Sequence, residues 1–136
     1  HWGHDISPEE NQYEAGLSFA ISYKKPFNFI GKEKLIEIKD QKPNKRLIML
    51  ALKKSDPGNP LLLHEEPIYL DDVIIGKTTS GNYSFNYNKN LSFGYINTEL
   101  TNDQLMKKKI YIEVEKIKYQ ANLIKRPLKQ GNFKII

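Results

Sequence analysis

The sequence predicts a mainly-β protein, a small barrel or sandwich with one early helix. Short apolar or alternating runs recur after residue 45 and are separated by Pro, Gly and Asn turn signals. Only one stretch, near residue 35, has the periodicity of an amphipathic helix. The 136 residues are 39% hydrophobic and include 8 Tyr and 6 Phe, enough to bury a core.

The N-terminal part predicts a capped turn, a strand and a helix. Ser7 and Pro8 of "SPEE" are typical of a helix start, with the Ser7 hydroxyl accepting from early amides. Residues 17–23, "LSFAISY", alternate as a half-buried strand does, and Pro26 ends that ladder.

The helix is predicted over residues 32–42. Leu35, Ile36 and Ile38 lie there among charged side chains at helical spacing. Pro43 ends the pattern and marks a candidate domain boundary.

The remaining elements are predicted as strands with tight turns. "RLIMLALKK" is an apolar strand followed by the turn "SDPGNP". "EPIYLDDVIIGKTTSGNYSFNY" predicts a hairpin with Asp71 and Asp72 at its tip, and "NLSFGYIN" predicts the next strand. "TELTNDQLMKKK" is a loop or a single helical turn. "IYIEVEKIKYQANLIKRPL" predicts a second hairpin that turns at Glu115 and Lys116.

The stretch "GKTTSG" has a partial likeness to a phosphate-binding loop. The Walker pattern needs a further Gly ahead of the Gly-Lys pair with four residues between, and none precedes Gly76 at that spacing. We therefore interpret Gly76 and Gly81 as places for a bulge or a close backbone approach, with residues 78–80 completing a strand edge.

The net charge of +5 rests almost entirely on Lys, since only Arg46 and Arg126 are Arg. Lys is this chain's usual polar residue, so its Lys runs are weak evidence for nucleic acid. The aromatic residues of 83–95 could stack bases. Such alternation is more typical of a core face, and we predict no nucleic-acid partner, with a nucleic-acid-binding barrel kept as an alternative.

The chain contains no Cys and no apolar run of about 20 residues. Disulfides and thiolate metal sites are therefore excluded, and a reducing compartment is favoured. We predict a cytoplasmic location and no membrane partner.

The polar start of the chain suggests a metal site only weakly. His1, His4 and Asp5 are possible ligands, but His64 is distant in sequence and no zinc-ligand spacing is present. We predict no metal.

The early carboxylates favour a solvated loop with a cap over a general acid or base. They are Asp5, Glu9, Glu10 and Glu14. No Gly-x-Ser-x-Gly elbow, Ser-His-Asp set or dinucleotide fingerprint is present. No catalytic residue is predicted.

Several separated motifs together resemble one family. "HWGHDISPEENQYEAGLSFAI" and "FNFIGKEKL" are followed by "GKTTSGNYSFNYNKNLSFGYIN" and, near the end, by "KRPL". This order resembles the C-terminal part of the aminomethyltransferase family, the glycine-cleavage T-proteins. It is most similar to the version fused to dimethylglycine and sarcosine dehydrogenases, and it covers essentially the whole chain.

The resemblance implies two parts. Residues 1–42 would be the C-terminal strand and helix of an α/β folate-binding domain. Residues 43–136 would be an appended jelly-roll-like β-barrel. The chain is then a fragment of a longer polypeptide, and the upstream domains are its expected partners.

The resemblance also implies a cofactor and an activity. Family members bind tetrahydrofolate between domains and transfer a one-carbon unit to it from an aminomethyl or iminium donor. In the dehydrogenase fusions an upstream domain holds FAD. The family's essential Asp lies upstream as well, so residues 1–136 alone are expected to be inactive.

The resemblance suggests three folate-binding residues in this chain. Trp2 takes the place of an aromatic that lines the cavity, although a domain-interface role is equally consistent. Lys25 lies near a position where relatives carry Arg for the folate glutamate, and Lys lacks that bidentate fork. Arg126 of "KRPL" faces the cavity or braces the barrel, and Glu14 is expected to be structural.

Three hypotheses of function follow. The first is a flavin-linked dimethylglycine or sarcosine dehydrogenase, of which this is the C-terminal portion. The second is a stand-alone glycine-cleavage T-protein. The third is a non-catalytic barrel that binds folate or nucleic acid.

Overall fold

The computed structural model describes residues 1–124, and its strands form one closed antiparallel barrel. In chain order they are β1 (Arg46–Leu52), β2 (Pro67–Leu70), β3 (Val73–Ser84), β4 (Lys89–Ile96), β5 (Ile110–Val114) and β6 (Ile117–Ile124). Around the barrel the order is β1-β4-β3-β2-β5-β6, and β6 pairs with β1 to close the ring. The predicted mainly-β barrel is confirmed.

The barrel interior is filled mainly by aliphatic side chains from its strands. The fully buried ones include Leu50, Leu52, Ile68, Ile110 and Ile112. Burying such a side chain stabilises the folded state by about 1.5–3 kcal/mol. The same apolar pattern that predicted the strands therefore builds the core.

The two predicted hairpins are present. Asp71, which connects β2 to β3, has a φ of 53°. Glu115 and Lys116 connect β5 to β6 with φ values of 50° and 66°. Two consecutive residues with positive φ are typical of the tight turns that join twisted antiparallel strands.

Two short α-helices accompany the barrel. The first, α1 (Lys32–Ile38), confirms the predicted helix but ends at Ile38 rather than at residue 42, and it buries none of its residues. The second, α2 (Asn102–Leu105), is the predicted single turn. Thr101 and Gln104 form a capping box at its start, and Leu105 enters the core.

The predicted strand over residues 17–23 is wrong. A 3₁₀ turn, Ser18–Ala20, lies there instead, and the side chain of Phe19 is 84% exposed. Residues 17–23 pair with no other strand among residues 1–124. Alternation alone does not hold a strand, because the ladder hydrogen bonds need a partner.

The predicted helix start at Ser7 is only half right. The Ser7 hydroxyl accepts from the Glu9 amide at 3.1 Å, and the Glu10 carboxylate accepts from the Ser7 amide at 2.8 Å. Only a turn follows, because the Asn11 side chain accepts from the amide of Tyr13 and starts a new turn. The cap is present without its helix.

Candidate functional site

A cleft of about 890 Å³ lies between the barrel and the N-terminal arm, by which we mean residues 1–42. Its arm side includes His4, Ser7, Glu10 and Glu14. Its barrel side is formed mainly by residues of β3 and β4 and by their neighbours, among them Lys45, Pro67, Ile74, Ile75, Gly76, Lys77, Thr79, Tyr95 and Ile96. We call this space the arm–barrel cleft.

Asp5 is a buried carboxylate at the junction of arm and barrel. One of its oxygens accepts from the Thr79 hydroxyl at 2.5 Å and from the Ser80 hydroxyl at 2.7 Å. The other oxygen accepts from the terminal ammonium of His1 at 2.7 Å, and the Tyr95 hydroxyl donates to the Asp5 carbonyl at 2.9 Å. Asp5 therefore binds two strands of the barrel.

A β-bulge explains how two consecutive hydroxyls reach one carboxylate. Thr78 pairs with Gly94 and Ser80 pairs with Phe93, so Thr79 is an extra residue in β3. In a regular strand neighbouring side chains point to opposite faces, whereas a bulge re-aims one of them. The bulge brings Thr79 and Ser80 to the same side, toward the arm. We call the contact of Asp5 with Thr79 and Ser80 the Asp5 latch.

The surroundings of Asp5 favour its ionised form. Burial raises the pKa of the Asp5 carboxyl, but the hydrogen bonds from the terminal ammonium of His1, from Thr79 and from Ser80, together with the charge of that ammonium, outweigh burial. The net result is a pKa below its ordinary value of 3.8. Asp5 is therefore a charged acceptor at neutral pH, and hydrogen bonds to a charged group are the stronger kind.

A second charged contact joins the arm to the barrel. The Lys45 ammonium lies 2.6 Å from a Glu10 carboxylate oxygen, and it lies 5.1 Å from the centre of the Tyr95 ring. Burial raises the pKa of Glu10, but the hydrogen bonds from Lys45 and Ser7 lower it below its ordinary 4.5. This pair lines the arm–barrel cleft.

Glu14 has the structural role expected from the sequence. Its carboxylate accepts from the Asn11 amide at 3.1 Å, and its carbonyl accepts from the Leu47 amide of β1 at 2.8 Å. The side chain is buried where the arm meets the first strand. The arm is thus attached to the barrel by the carboxylates of Asp5 and Glu10 and by the backbone carbonyl of Glu14.

Trp2, predicted to bind folate, lies in a tight loop. Its backbone bridges to Ile6, and the Asp5 amide donates to the His1 carbonyl at 2.8 Å. The Trp2 residue is 71% exposed. Its ring is therefore available to stack against a flat ligand, although Trp2 does not line the arm–barrel cleft.

Among residues 1–124, no contact brings Lys25, the second predicted folate-binding residue, to Trp2. The Lys25 side chain is exposed, and its ammonium lies 5.6 Å from the centre of the Phe27 ring. Arg126 lies outside the described residues. These predictions therefore stay predictions.

The structure brings together three histidines, of which one is far from the others in sequence. The His4 ring contacts the His1 ring at 4.8 Å and the His64 ring at 5.5 Å, both edge to face. Within residues 1–124, no three His, Cys, Asp or Glu side chains are arranged to hold a metal ion. The contact ties the start of the arm to the loop before β2.

Sequence reasoning missed the roles of Thr79 and Ser80. Both belong to "GKTTSG", whose glycines are its most distinctive feature, and Asp5 belongs to "GHDIS". Asp5 and Thr79 are 74 residues apart. The two polar motifs are visible separately, but nothing in the sequence indicates that they contact each other.

With this geometry described, comparison with known proteins identifies the family. The model of the glycine cleavage T-protein C-terminal barrel domain matches residues 45–129, more than half of the chain. The chain belongs to this family. The predicted resemblance is confirmed.

Two relatives illustrate the match. The chain is 34% identical to rat dimethylglycine dehydrogenase over 93% of its length, but it spans only 14% of that protein. It is 27% identical to the aminomethyltransferase of Synechococcus elongatus over 96% of its length, and it spans 33% of that protein. The chain thus corresponds to a minor part of each relative.

The fold agrees with a solved relative. The aminomethyltransferase T of the glycine cleavage system from Bartonella henselae superposes with a TM-score of 0.75 over 93% of this chain and 34% of that one. At 17% identity this likeness establishes the fold alone. Among residues 1–124, no helix has the length and apolar character needed to span a membrane.

Proposed function

We propose that this chain is the C-terminal portion of a tetrahydrofolate-dependent aminomethyl-transfer enzyme, most closely a flavin-linked dimethylglycine or sarcosine dehydrogenase. The observation that carries the proposal is the alignment of 93% of the chain with rat dimethylglycine dehydrogenase. In this proposal residues 1–42 end an α/β folate-binding domain, and residues 43–136 are the barrel domain. The upstream domains of the same polypeptide are its partners.

Two of the residues that we propose as folate contacts have exposed side chains. Trp2 offers an exposed flat ring for a pterin or benzoyl group, and Lys25 offers an exposed ammonium for a glutamate carboxylate. Arg126 is proposed as a third contact from outside the described residues. Bound folate would supply the nitrogen atoms that accept the one-carbon unit, and this chain would hold and orient the folate.

Three carboxylates of the arm make structural contacts. Asp5 and Glu10 hold the arm to the barrel, and Glu14 holds a turn. A general acid or base must come within hydrogen-bond reach of its substrate. The reacting groups and the FAD are therefore proposed to lie upstream, and residues 1–136 alone should not turn over N-methyl amines.

The test is calorimetric titration of tetrahydrofolate into the longer polypeptide that we propose and into residues 1–136. We expect saturable binding by the longer polypeptide and none by residues 1–136. In the longer polypeptide, Trp2→Ala and Lys25→Ala should each weaken binding about tenfold, the loss that about 1.4 kcal/mol of contact energy would give. The matched controls Phe85→Ala and Lys108→Ala, also at exposed positions, should not.

A longer polypeptide that ignores folate would contradict the proposal, as would N-methyl amine turnover by residues 1–136. The second candidate is a stand-alone aminomethyltransferase, favoured by the 96% alignment with the Synechococcus protein. Flavin absorbance of the purified longer polypeptide distinguishes the two candidates, since only the dehydrogenase would carry FAD.

A further inference from the structure

We propose that Asp5 is a positioning residue, which acts through the Asp5 latch to hold the loop of residues 1–7 in one place on β3. This loop carries Trp2 and one side of the arm–barrel cleft. The part of the proposal that concerns folate rests on the proposed function. The latch itself does not, and it can be measured without any ligand.

The contacts of Asp5 join the loop to the barrel and also to itself. Both hydroxyls of the latch come from the barrel, and both donate to one oxygen of Asp5. The other oxygen of Asp5 accepts from the His1 nitrogen inside the loop. One carboxylate therefore fixes the loop to the barrel through two hydroxyls.

The bulge in β3 lies at the residues that form the Asp5 latch. An extra residue in β3 interrupts the pairing with β4, and a bulge both bends its strand and re-aims a side chain. The bulge does orient Thr79 and Ser80 toward Asp5, and Thr79 is buried there. The irregular pairing of β3 therefore lies at the two residues that donate to Asp5.

The latch also shapes the arm–barrel cleft. Thr79 lines this cleft together with His4 and Ser7, which lie on either side of Asp5 in the loop. The Tyr95 hydroxyl, which donates to the Asp5 carbonyl, holds the same loop from β4. Without the latch the loop would lose its side-chain anchor to β3 and would keep the contacts with Tyr95 and His64, so that Trp2 would be held less firmly.

Amide hydrogen exchange in residues 1–136 tests the latch directly. Thr79→Val removes one donor at nearly constant volume, and Asp5→Asn removes the charge. Both should speed exchange at the amides of Gly3 and Asp5, which donate within the loop, by about tenfold. Thr79→Ser keeps the hydroxyl and should keep the slow rate.

The matched control is Thr78→Val. The Thr78 hydroxyl is also buried and also donates to a carboxylate, but its acceptor is Glu66, just before β2. This substitution should change barrel stability without changing exchange in the loop. Unchanged loop exchange in Thr79→Val and Asp5→Asn would overturn the proposal, and so would equal acceleration in Thr78→Val.

The latch should also affect the ligand that Trp2 is proposed to bind. In the longer polypeptide, Thr79→Val should raise the Kd for tetrahydrofolate several-fold, Thr79→Ser should keep it low, and Thr78→Val should leave it unchanged. If the longer polypeptide bound no folate at all, the proposed function would fail while the exchange data still decided the latch. If folate bound equally well to Thr79→Val with accelerated loop exchange, the positioning role would be refuted.

Discussion

Gly76 lies where β3 and β4 approach each other closely. A Cβ built on it would overlap the carbonyl oxygen of Tyr95 and would lie 2.9 Å from the Cα of Ile96. Both obstacles are backbone atoms of the paired strand, which cannot rotate away. We expect Gly76→Ala to lower the free energy of unfolding by about 3 kcal/mol, measured by urea denaturation.

The control for this substitution is Gly58→Ala. Gly58 has a φ of 74°, but no atom lies within 4 Å of the position that a Cβ would take. The substitution should cost only about 1 kcal/mol, because a side chain disfavours the left-handed backbone. Equal losses at the two positions would contradict the steric origin of the effect at Gly76.

Some residue roles could be predicted from the sequence and others could not. The close approach at Gly76 was predictable, because a Gly inside a strand pattern often marks a bulge or a place where another backbone comes near. The role of Thr79 was not predictable, because a one-residue shift in register leaves no local signature. The sequence favours a solvated Asp5 over a catalytic one, whereas Asp5 is buried, because its partners in β3 are brought to it by long-range packing.

At the scale of elements, Arg46 connects the start of β1 to α2 and to the segment before it. Its guanidinium donates to the Asn102 side chain at 3.1 Å, to the Thr98 carbonyl at 3.3 Å and to the Leu100 carbonyl. A Lys ammonium cannot reach three acceptors in this planar arrangement. We expect Arg46→Lys to lower the free energy of unfolding by about 1–2 kcal/mol in thermal denaturation.

The conservative exchange Lys45→Arg tests whether the loss of stability in Arg46→Lys comes from the missing guanidinium of Arg46 and would not follow from any exchange of Arg and Lys at this end of β1. Lys45 precedes Arg46 and makes an ion pair with Glu10, which an Arg can also make. It should change the stability by less than about 0.5 kcal/mol, within the usual range for tolerated surface changes. A larger loss from Lys45→Arg than from Arg46→Lys would refute the role that we assign to the Arg46 fork.

The accuracy of the predictions at this scale follows from where each element gets its hydrogen bonds. The hairpins β2–β3 and β5–β6 were predictable because their turns and their strands lie in one stretch of sequence. Residues 17–23 have the same alternation, but no strand pairs with them in residues 1–124. The sequence pattern reports which face would be apolar and cannot report whether a partner strand exists.

At the scale of the whole molecule, the barrel and the arm are held together differently. The barrel is closed by strand pairing around an aliphatic core. The contacts from the arm that we described are polar ones at Asp5, Glu10 and Glu14 and a ring contact between His4 and His64. The candidate site lies at this junction, which is why composition and periodicity could predict the barrel but only the family resemblance pointed toward a ligand.

This difference predicts that acid releases the arm before it unfolds the barrel. The pKa values of Asp5 and Glu10 are both lowered in the folded protein, so each carboxylate stabilises the docked arm while it is ionised. Their contribution is complete above the ordinary values of 3.8 and 4.5, and it is lost as the pH falls through the lower folded-state values. Fluorescence anisotropy of Trp2 should therefore fall below about pH 4 while the far-UV circular dichroism of the barrel is still unchanged.

The double variant Asp5→Asn, Glu10→Gln should show low anisotropy already at pH 7 and little further change as the pH falls. The control Glu37→Gln, at an exposed ion pair on α1, should behave as the unsubstituted chain. Loss of anisotropy and of barrel structure at one common pH would show instead that the arm and the barrel unfold as a single cooperative unit.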